Sequence, residues 1–213
     1  MNPFKKWLLE KTGKKCVDNL NKHRFDAHFF DTIEDAKSKI MDMVKDYNTF
    51  GFGGSDTTRG IGLPEALEEK GKTVYDHNKE DLSLETKMEY RKLQGTCDCF
   101  FSSANAISQT GEIINVDGVG NRVNATCFGP SKVIIVAGTN KIEKDMESAI
   151  KRIREVAAPM RSKSLGMENP CSETGICADC NSPTRICNIT TILHRKPMLT
   201  DISVMIINDN LGY

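Results

Sequence analysis

Lys132-Val133-Ile134-Ile135-Val136 is the stretch on which the fold turns. Four consecutive apolar residues, all β-branched, leave no polar face. A strand made of them is buried on both sides, as in a parallel sheet layered between other elements. The downstream flank agrees. Glu143 to Ala157 reads as a helix with acids first and bases last, matching the helix dipole, and Pro159 is expected to end it. Upstream, Cys97 to Phe101 is a second buried-strand candidate, and Ile113 to Val116 a third after the Thr110-Gly111 turn.

Working back to the N-terminus, helices and strands alternate. Phe4, Trp7, Leu8, Val17 and Leu20 share a helical face, weakened in the middle by Gly13. Ala27 to Phe30 suggests a strand. Thr32 and Asp35 have N-cap and N3 spacing ahead of Ile33, Ala36, Ile40 and Val44, a helix ending near Tyr47. Thr49 to Gly53 is strand-like, Pro64 and Gly71 bracket a short helix, Thr73 to Tyr75 is a strand and Leu84 to Leu93 a helix. The fold class implied is α/β: a mainly parallel sheet with helices on both faces. Residues 1–160 form that domain. Residues 161–213 add a cysteine-rich segment and two closing strands, Ile189 to Leu193 and Ile202 to Ile207, packed on the same domain.

Composition narrows the function. Lys plus Arg equal Asp plus Glu at 29 each, so no global field draws nucleic acid or anionic lipid. No apolar run approaches the roughly 20 residues that span a bilayer. Lys5, Lys6, Glu10 and Lys11 interrupt any signal-peptide core. A cytoplasmic location with reduced thiols is expected, and there the eight cysteines argue for metal binding or buried thiols rather than disulfides.

Four of those cysteines cluster: Cys171, Cys177, Cys180 and Cys187, in the pattern C-x5-C-x2-C-x6-C. Thiolates select zinc or iron–sulfur clusters. Structural zinc sites use two close pairs, and this segment has one, with the outer ligands spread unevenly. Such loops suit an iron–sulfur cluster, [4Fe–4S] foremost, with zinc as the alternative and free thiols as the bland reading. Cys16, Cys97, Cys99 and Cys127 read as core thiols.

Polar residues at strand ends suggest a pocket. Gly53, Gly54, Ser55 and Thr57 follow one strand and precede a helix, a setting that can cradle an anion, although a plain turn capped by Ser55 explains them as well. Asn105, Asn115, Asp117, Asn121 and Arg122 lie in a second polar run, with Arg122 as a candidate anion clamp and Glu112 as a candidate acid/base. Lys141 follows the central strand. The bland reading of each is a solvated turn. His23, His28, His77 and His194 lack matching acid or metal-ligand spacing and read as surface or structural histidines.

These stretches together resemble the lactate-utilization (LUD domain) family. The matching motifs are Gly53-Gly54-Ser55-x-Thr57, Asn105-Ala106-Ile107-x-x-x-Gly111, Asn115-Val116-Asp117-Gly118 with Gly120-Asn121-Arg122-Val123, Gly129-Pro130-x-Lys132-Val133 and Gly138-x-Asn140-Lys141. The resemblance covers roughly Thr32 to the C-terminus, and the cysteine tail looks like that of one single-domain branch. It implies a fold like ribose-5-phosphate isomerase, glucosamine-6-phosphate deaminase and the CoA transferases. It also implies a link to the conversion of L-lactate to pyruvate, in a complex that includes iron–sulfur proteins. The Asn-Val-Asp-Gly insert and the cysteine tail depart from the lactate-operon members.

Two functions follow. One is a redox or regulatory iron–sulfur protein with a redox partner protein and a small anionic metabolite in its pocket. The other is an enzyme or binding protein for a small phosphorylated or carboxylated metabolite, with a structural zinc site. Trp7 and Leu8 also offer a docking face for a partner or for a second copy in a homo-oligomer.

Overall fold

The central strand lies where its composition demands. In the computed structural model, which describes residues 2–213, every residue of Lys132–Gly138 is buried. In chain order the elements are α1 (Pro3–Lys22), β1 (Asp26–Phe30), α2 (Ile33–Met43), β2 (Thr49–Phe52), α3 (Asp56–Gly60), α4 (Leu63–Glu68), β3 (Thr73–Asp76), α5 (Leu84–Leu93) and β4 (Cys99–Ser102). They continue with β5 (Ala106–Ser108), β6 (Ile113–Asp117), α6 (Asn121–Cys127), β7 (Lys132–Gly138), a 3-10 turn at Thr139–Lys141, β8 (Ile142–Glu143) and α7 (Met146–Arg152). A π-helical segment (Ile153–Ala157) joins α7 to α8 (Ala158–Ser164), and α9 (Pro170–Thr174), β9 (Ile189–Leu193) and β10 (Asp201–Ile207) complete the chain.

Six strands form an all-parallel sheet in the order β1-β10-β7-β4-β2-β3. Alternate residues of β7 and β10 feed two cores, as a two-sided sheet requires. On one face Val133, Ile135, Ala137, Val204 and Ile206 pack against Cys16, Val17 and Leu20 of α1. On the other, Ile134, Val136, Met205 and Ile207 meet Ala36 and Ile40 of α2 and Leu63 and Leu67 of α4. Cys16, Cys97 and Cys99 are buried thiols in these cores, and Cys127 is half-buried. Among the described residues no helix is long and apolar enough to cross a membrane.

The structure corrects several local expectations. Gly13 does not weaken α1. It lets the helix approach β1, because a Cβ there would lie 2.4 Å from the Phe29 ring. Ile113–Asp117 and Ile189–Leu193 do not join the main sheet. They pair antiparallel with each other in a separate four-stranded sheet, β8-β5-β6-β9, and Ile107, Ile113 and Leu193 of that sheet cover the α1 side of the main core. The short β5 and α6 are not evident in the sequence pattern. Pro159 does not end its helix. A proline ring clashes with the carbonyl four residues back and offers no N–H, and the wider π turn at Ile153–Ala157 absorbs both defects so that α8 continues to Ser164. That helix also starts later than Glu143, at Met146, with Asp145 as its cap.

The Thr32 cap is where the sequence puts it: its hydroxyl accepts from Asp35 N at 3.1 Å and donates to the Asp35 carboxylate at 2.7 Å. Thr32→Ala is expected to lower stability by about 1 kcal/mol, read from the urea unfolding midpoint. An unchanged midpoint would show that α2 is held by its buried face alone.

Candidate functional site

Five of the six parallel strands send their carboxyl ends to one cavity of about 290 Å³. After β2 come Gly54, Ser55 and Thr57; after β3, His77; after β4, Ser103 and Asn105; after β7, Lys141; after β10, Gly212 and Tyr213. The chain leaves β2 toward β3 and leaves β4 toward β7, in opposite directions. The cavity therefore opens where the strand order reverses, the usual position for a ligand in an open parallel sheet. The far wall comes from the small sheet, α6 and the π segment and helix after α7, which deliver Asp117, Arg122 and Arg161.

Lys141 is the most unusual of these groups. It is 4% exposed, and its Nζ donates to Thr57 Oγ1 at 3.0 Å and Ser103 Oγ at 2.9 Å. Among the described residues no carboxylate lies within ion-pair distance. Burial, followed by the nearby charges of Arg152 and Arg122, pushes the ammonium down to about 7, with Asp56 opposing weakly. Arg152 braces the loop around it, donating to Asn140 O at 3.2 Å and Asn105 O at 2.7 Å.

Arg122 is anchored rather than free. Its guanidinium donates to Asn115 Oδ1 at 3.1 Å, to Asn105 Oδ1 at 3.0 Å and to Val116 O, and its Nε lies 3.5 Å from Asp117 Oδ2. Its stem passes over Gly53, where a Cβ would sit 3.1 Å from Cγ and Cδ. Burial alone would raise the Asp117 carboxyl. Arg122 and the N–H groups of Gly120, Val119 and Val123 outweigh burial and hold it below the usual carboxylate range. The expectation of an anion clamp therefore shifts away from Arg122, most of whose donors are spent on the protein.

Other cations face the cavity. Arg161 Nη1 donates to Asp56 Oδ2 at 2.8 Å, and its Nη2 lies over Gly54. Arg91 also lines the cavity, and its buried Nε has no hydrogen-bond partner among the described residues. His77 is buried beside Gln94, whose Nε2 lies 2.9 Å from His77 Nδ1 and 2.8 Å from Phe52 O, while Asn121 donates to Gln94 Oε1.

Of the residues singled out from sequence, Gly54, Ser55, Thr57, Asn105, Asp117, Asn121, Arg122 and Lys141 line the cavity. Gly53 and Asn115 stand behind it and hold Arg122. Glu112 is elsewhere: it sits in the β5–β6 hairpin, bound by the hydroxyls of Ser108 and Thr110, so the structure does not bring the candidate acid/base to the cavity.

The LUD domain family model matches residues 13–207. The chain belongs to the LUD domain family. A crystal structure of a DUF162 family protein from Deinococcus radiodurans shares the fold, with a TM-score of 0.53 at 12% identity over 93% of this chain and 98% of that one. A comparison with curated protein sequences gave no match.

The cysteine tail of this LUD domain does not form the expected ligand set. Among the described residues no group of three or more His, Cys, Asp or Glu side chains has metal-holding geometry. Cys171 is on α9, while Cys177, Cys180 and Cys187 lie in an irregular stretch. Arg185 ties that stretch together, donating to Cys180 O, to Cys187 O at 3.2 Å and to Asp179 Oδ1 at 2.8 Å. Burial raises the Cys187 thiol; Arg185 opposes this, while Cys177 and Cys180 are close enough to add to it. Cys187 also lines the cavity rim.

His77, Arg91, Ser103 and Arg161 line the cavity and were not singled out from sequence. The Ser102-Ser103 pair at the end of a buried strand was a usable signal for Ser103. Arg161 was hidden because Pro159 seemed to end the helix that carries it.

Proposed function

We propose that this LUD domain is a lactate-utilization-type protein that holds a small carboxylated or phosphorylated metabolite in the strand-end cavity. The observation behind it is charge. The lining has three arginines, Arg91, Arg122 and Arg161, and the amine of Lys141, against two carboxylates, Asp56 and Asp117. Asp117 is held by Arg122, and Asp56 is shared by Arg161 and Arg59, so neither answers Lys141 or Arg91. A half-buried cationic excess with an unmet N–H donor is best satisfied by an anion with hydrogen-bonding oxygens.

Titration of the full chain with L-lactate, glycolate or inorganic phosphate, followed by amide NMR at Gly54 and Asn105, tests this. Saturable shifts are expected for at least one anion and none for glycerol. Arg161→Met is expected to weaken binding roughly 10-fold, about 1.4 kcal/mol. Equal responses to anions and glycerol, or none, would end this reading.

The cysteine segment supports a second reading: an iron–sulfur cluster, with zinc as the alternative, held by Cys171, Cys177, Cys180 and Cys187. What favours it is the C-x5-C-x2-C-x6-C spacing, with Cys177, Cys180 and Cys187 in a stretch without regular structure that a metal can draw together. Such a centre would supply electron transfer if iron–sulfur and a structural clamp if zinc. Iron, sulfide and zinc analysis after purification without oxygen decides it. Substoichiometric amounts of all three would leave the segment as free thiols.

A further inference from the structure

We propose that Lys141 is a nucleophilic amine that forms an imine with a small aldehyde or ketone carrying an anionic group. This goes one step beyond the anion-binding reading of the cavity and rests on it. The argument is the hydrogen-bond pattern around Nζ. Thr57 Oγ1 and Ser103 Oγ both accept from Nζ, at 3.0 and 2.9 Å. Each hydroxyl also has a backbone acceptor within reach of its own proton, Leu211 O 3.3 Å from Thr57 Oγ1 and Ala104 O 3.4 Å from Ser103 Oγ. A neutral amine has two hydrogens and one lone pair. Here both hydrogens have acceptors, and among the described residues a third, ammonium hydrogen would have none and no carboxylate stands close enough to demand it.

The surroundings fit the same chemistry. Lys141 lies in the turn directly after β7 and lines the cavity together with Arg91 and Arg161. Those two cations can hold the carboxylate or phosphate of a ligand while its carbonyl carbon meets Nζ. Burial and the repulsion of Arg152 and Arg122 keep a large share of the amine unprotonated near neutral pH.

The step balances without a redox partner. The Nζ lone pair adds to the carbonyl carbon, the carbonyl oxygen takes up the proton lost from nitrogen, and the resulting carbinolamine loses water to leave a C=N bond. The imine then draws electrons from the bond next to the former carbonyl, which is what such a lysine contributes to catalysis.

The test uses glyoxylate, a minimal anionic aldehyde, with sodium cyanoborohydride, which delivers hydride to the imine carbon and fixes it as a secondary amine. Peptide mass mapping of the full chain then reports each lysine. Surface lysines titrate near ~10.4, so only about one in 2,500 is free base at pH 7. Lys141 is expected to be modified at least roughly 10-fold faster than any surface lysine, a margin smaller than the free-base ratio because a less basic amine is also a weaker nucleophile. Lys141→Arg should fold with an unchanged circular dichroism spectrum and lose the site-specific adduct. Modification of Lys141 at the surface-lysine rate would overturn the inference. Glycolate, which has the anion but no carbonyl, is titrated in parallel with L-lactate and inorganic phosphate: anion binding without the adduct refutes the amine chemistry alone, and loss of the adduct with all three anions silent refutes the anion reading with it.

Discussion

Acidification from about pH 6.5 to about pH 4 is expected to cost this protein roughly 3 kcal/mol through His77 alone. The imidazole is 8% exposed, and burial, followed by the charge of Arg91, pushes its pKa down to about 4, with Asp76 opposing and Arg59 adding to the shift. The geometry explains why. Gln94 Nε2 lies 2.9 Å from Nδ1, and Gln94 is oriented by Phe52 O, Tyr75 O and Asn121, so an amide N–H group and not an acceptor faces Nδ1. A proton on Nδ1 would meet an N–H. In the unfolded chain the ring takes up its proton near ~6.5, whereas the folded ring takes it up only near 4. Between those values the unfolded state binds more protons, so each step down in pH favours unfolding. The contribution is full above the upper value. Urea midpoints of the native chain and of His77→Asn, whose Oδ1 replaces the accepting Nδ1, should diverge on that interval. Parallel curves from pH 7 to pH 4.5 would show that the folded ring protonates normally.

How much of this was legible depends on the range of the forces involved. The main sheet was readable because burial writes itself locally: Val133 to Val136 can only be a two-sided strand, and Thr32, Pro64 and Gly71 punctuate helices through bonds made within four residues. The second sheet was not, because β6 takes its partner β9 from 72 to 80 residues away, through the pairing of Asp117 with Ile189 and Ile113 with Leu193, and nothing in an apolar run names its neighbour. The cavity was half legible. Strand-end residues such as Ser55, Thr57 and Lys141 converge because a parallel sheet gathers its carboxyl ends, a rule that holds before any contact is known. Arg161 and Arg91 arrive from helices, and whether a helical arginine points inward is decided by packing. The cysteine pattern was plain as spacing, yet spacing says only that thiols can meet. The fold holds the loop by the Arg185 bonds to two cysteine carbonyls, and among the described residues no thiol set has metal-holding geometry.

Arg122→Met is expected to be the most destabilising single change at the site, at roughly 3–5 kcal/mol, a loss of on the order of 10 °C in Tm for a chain of this size. The side chains of Arg122 and Asp117 are 15% and 9% exposed, so solvent screens them little. Methionine keeps the stem over Gly53 but removes every donor. Asp117 keeps its three backbone N–H partners and loses its cation, while Asn105 Oδ1, Asn115 Oδ1 and Val116 O lose a donor each. Most of the cost is the carboxylate left buried and unpaired rather than the worth of the pair. That argument has a consequence in a double-mutant cycle: Asp117→Asn removes the stranded charge, so Arg122→Met with Asp117→Asn should cost clearly less than the two single changes added together. Lysine is not a substitute, since one ammonium cannot reach four acceptors that a planar fork spans. Arg122→Lys should therefore recover only part of the loss. Strict additivity in the cycle, or an Arg122→Met midpoint within about 1 kcal/mol of the native one, would mean that Asn105 and Asn115 hold the cavity wall without the arginine. If additivity fails as expected, Arg122 is the brace that fixes Asn105 and Asn115, and the shape of the cavity wall is set by an ion pair within the protein.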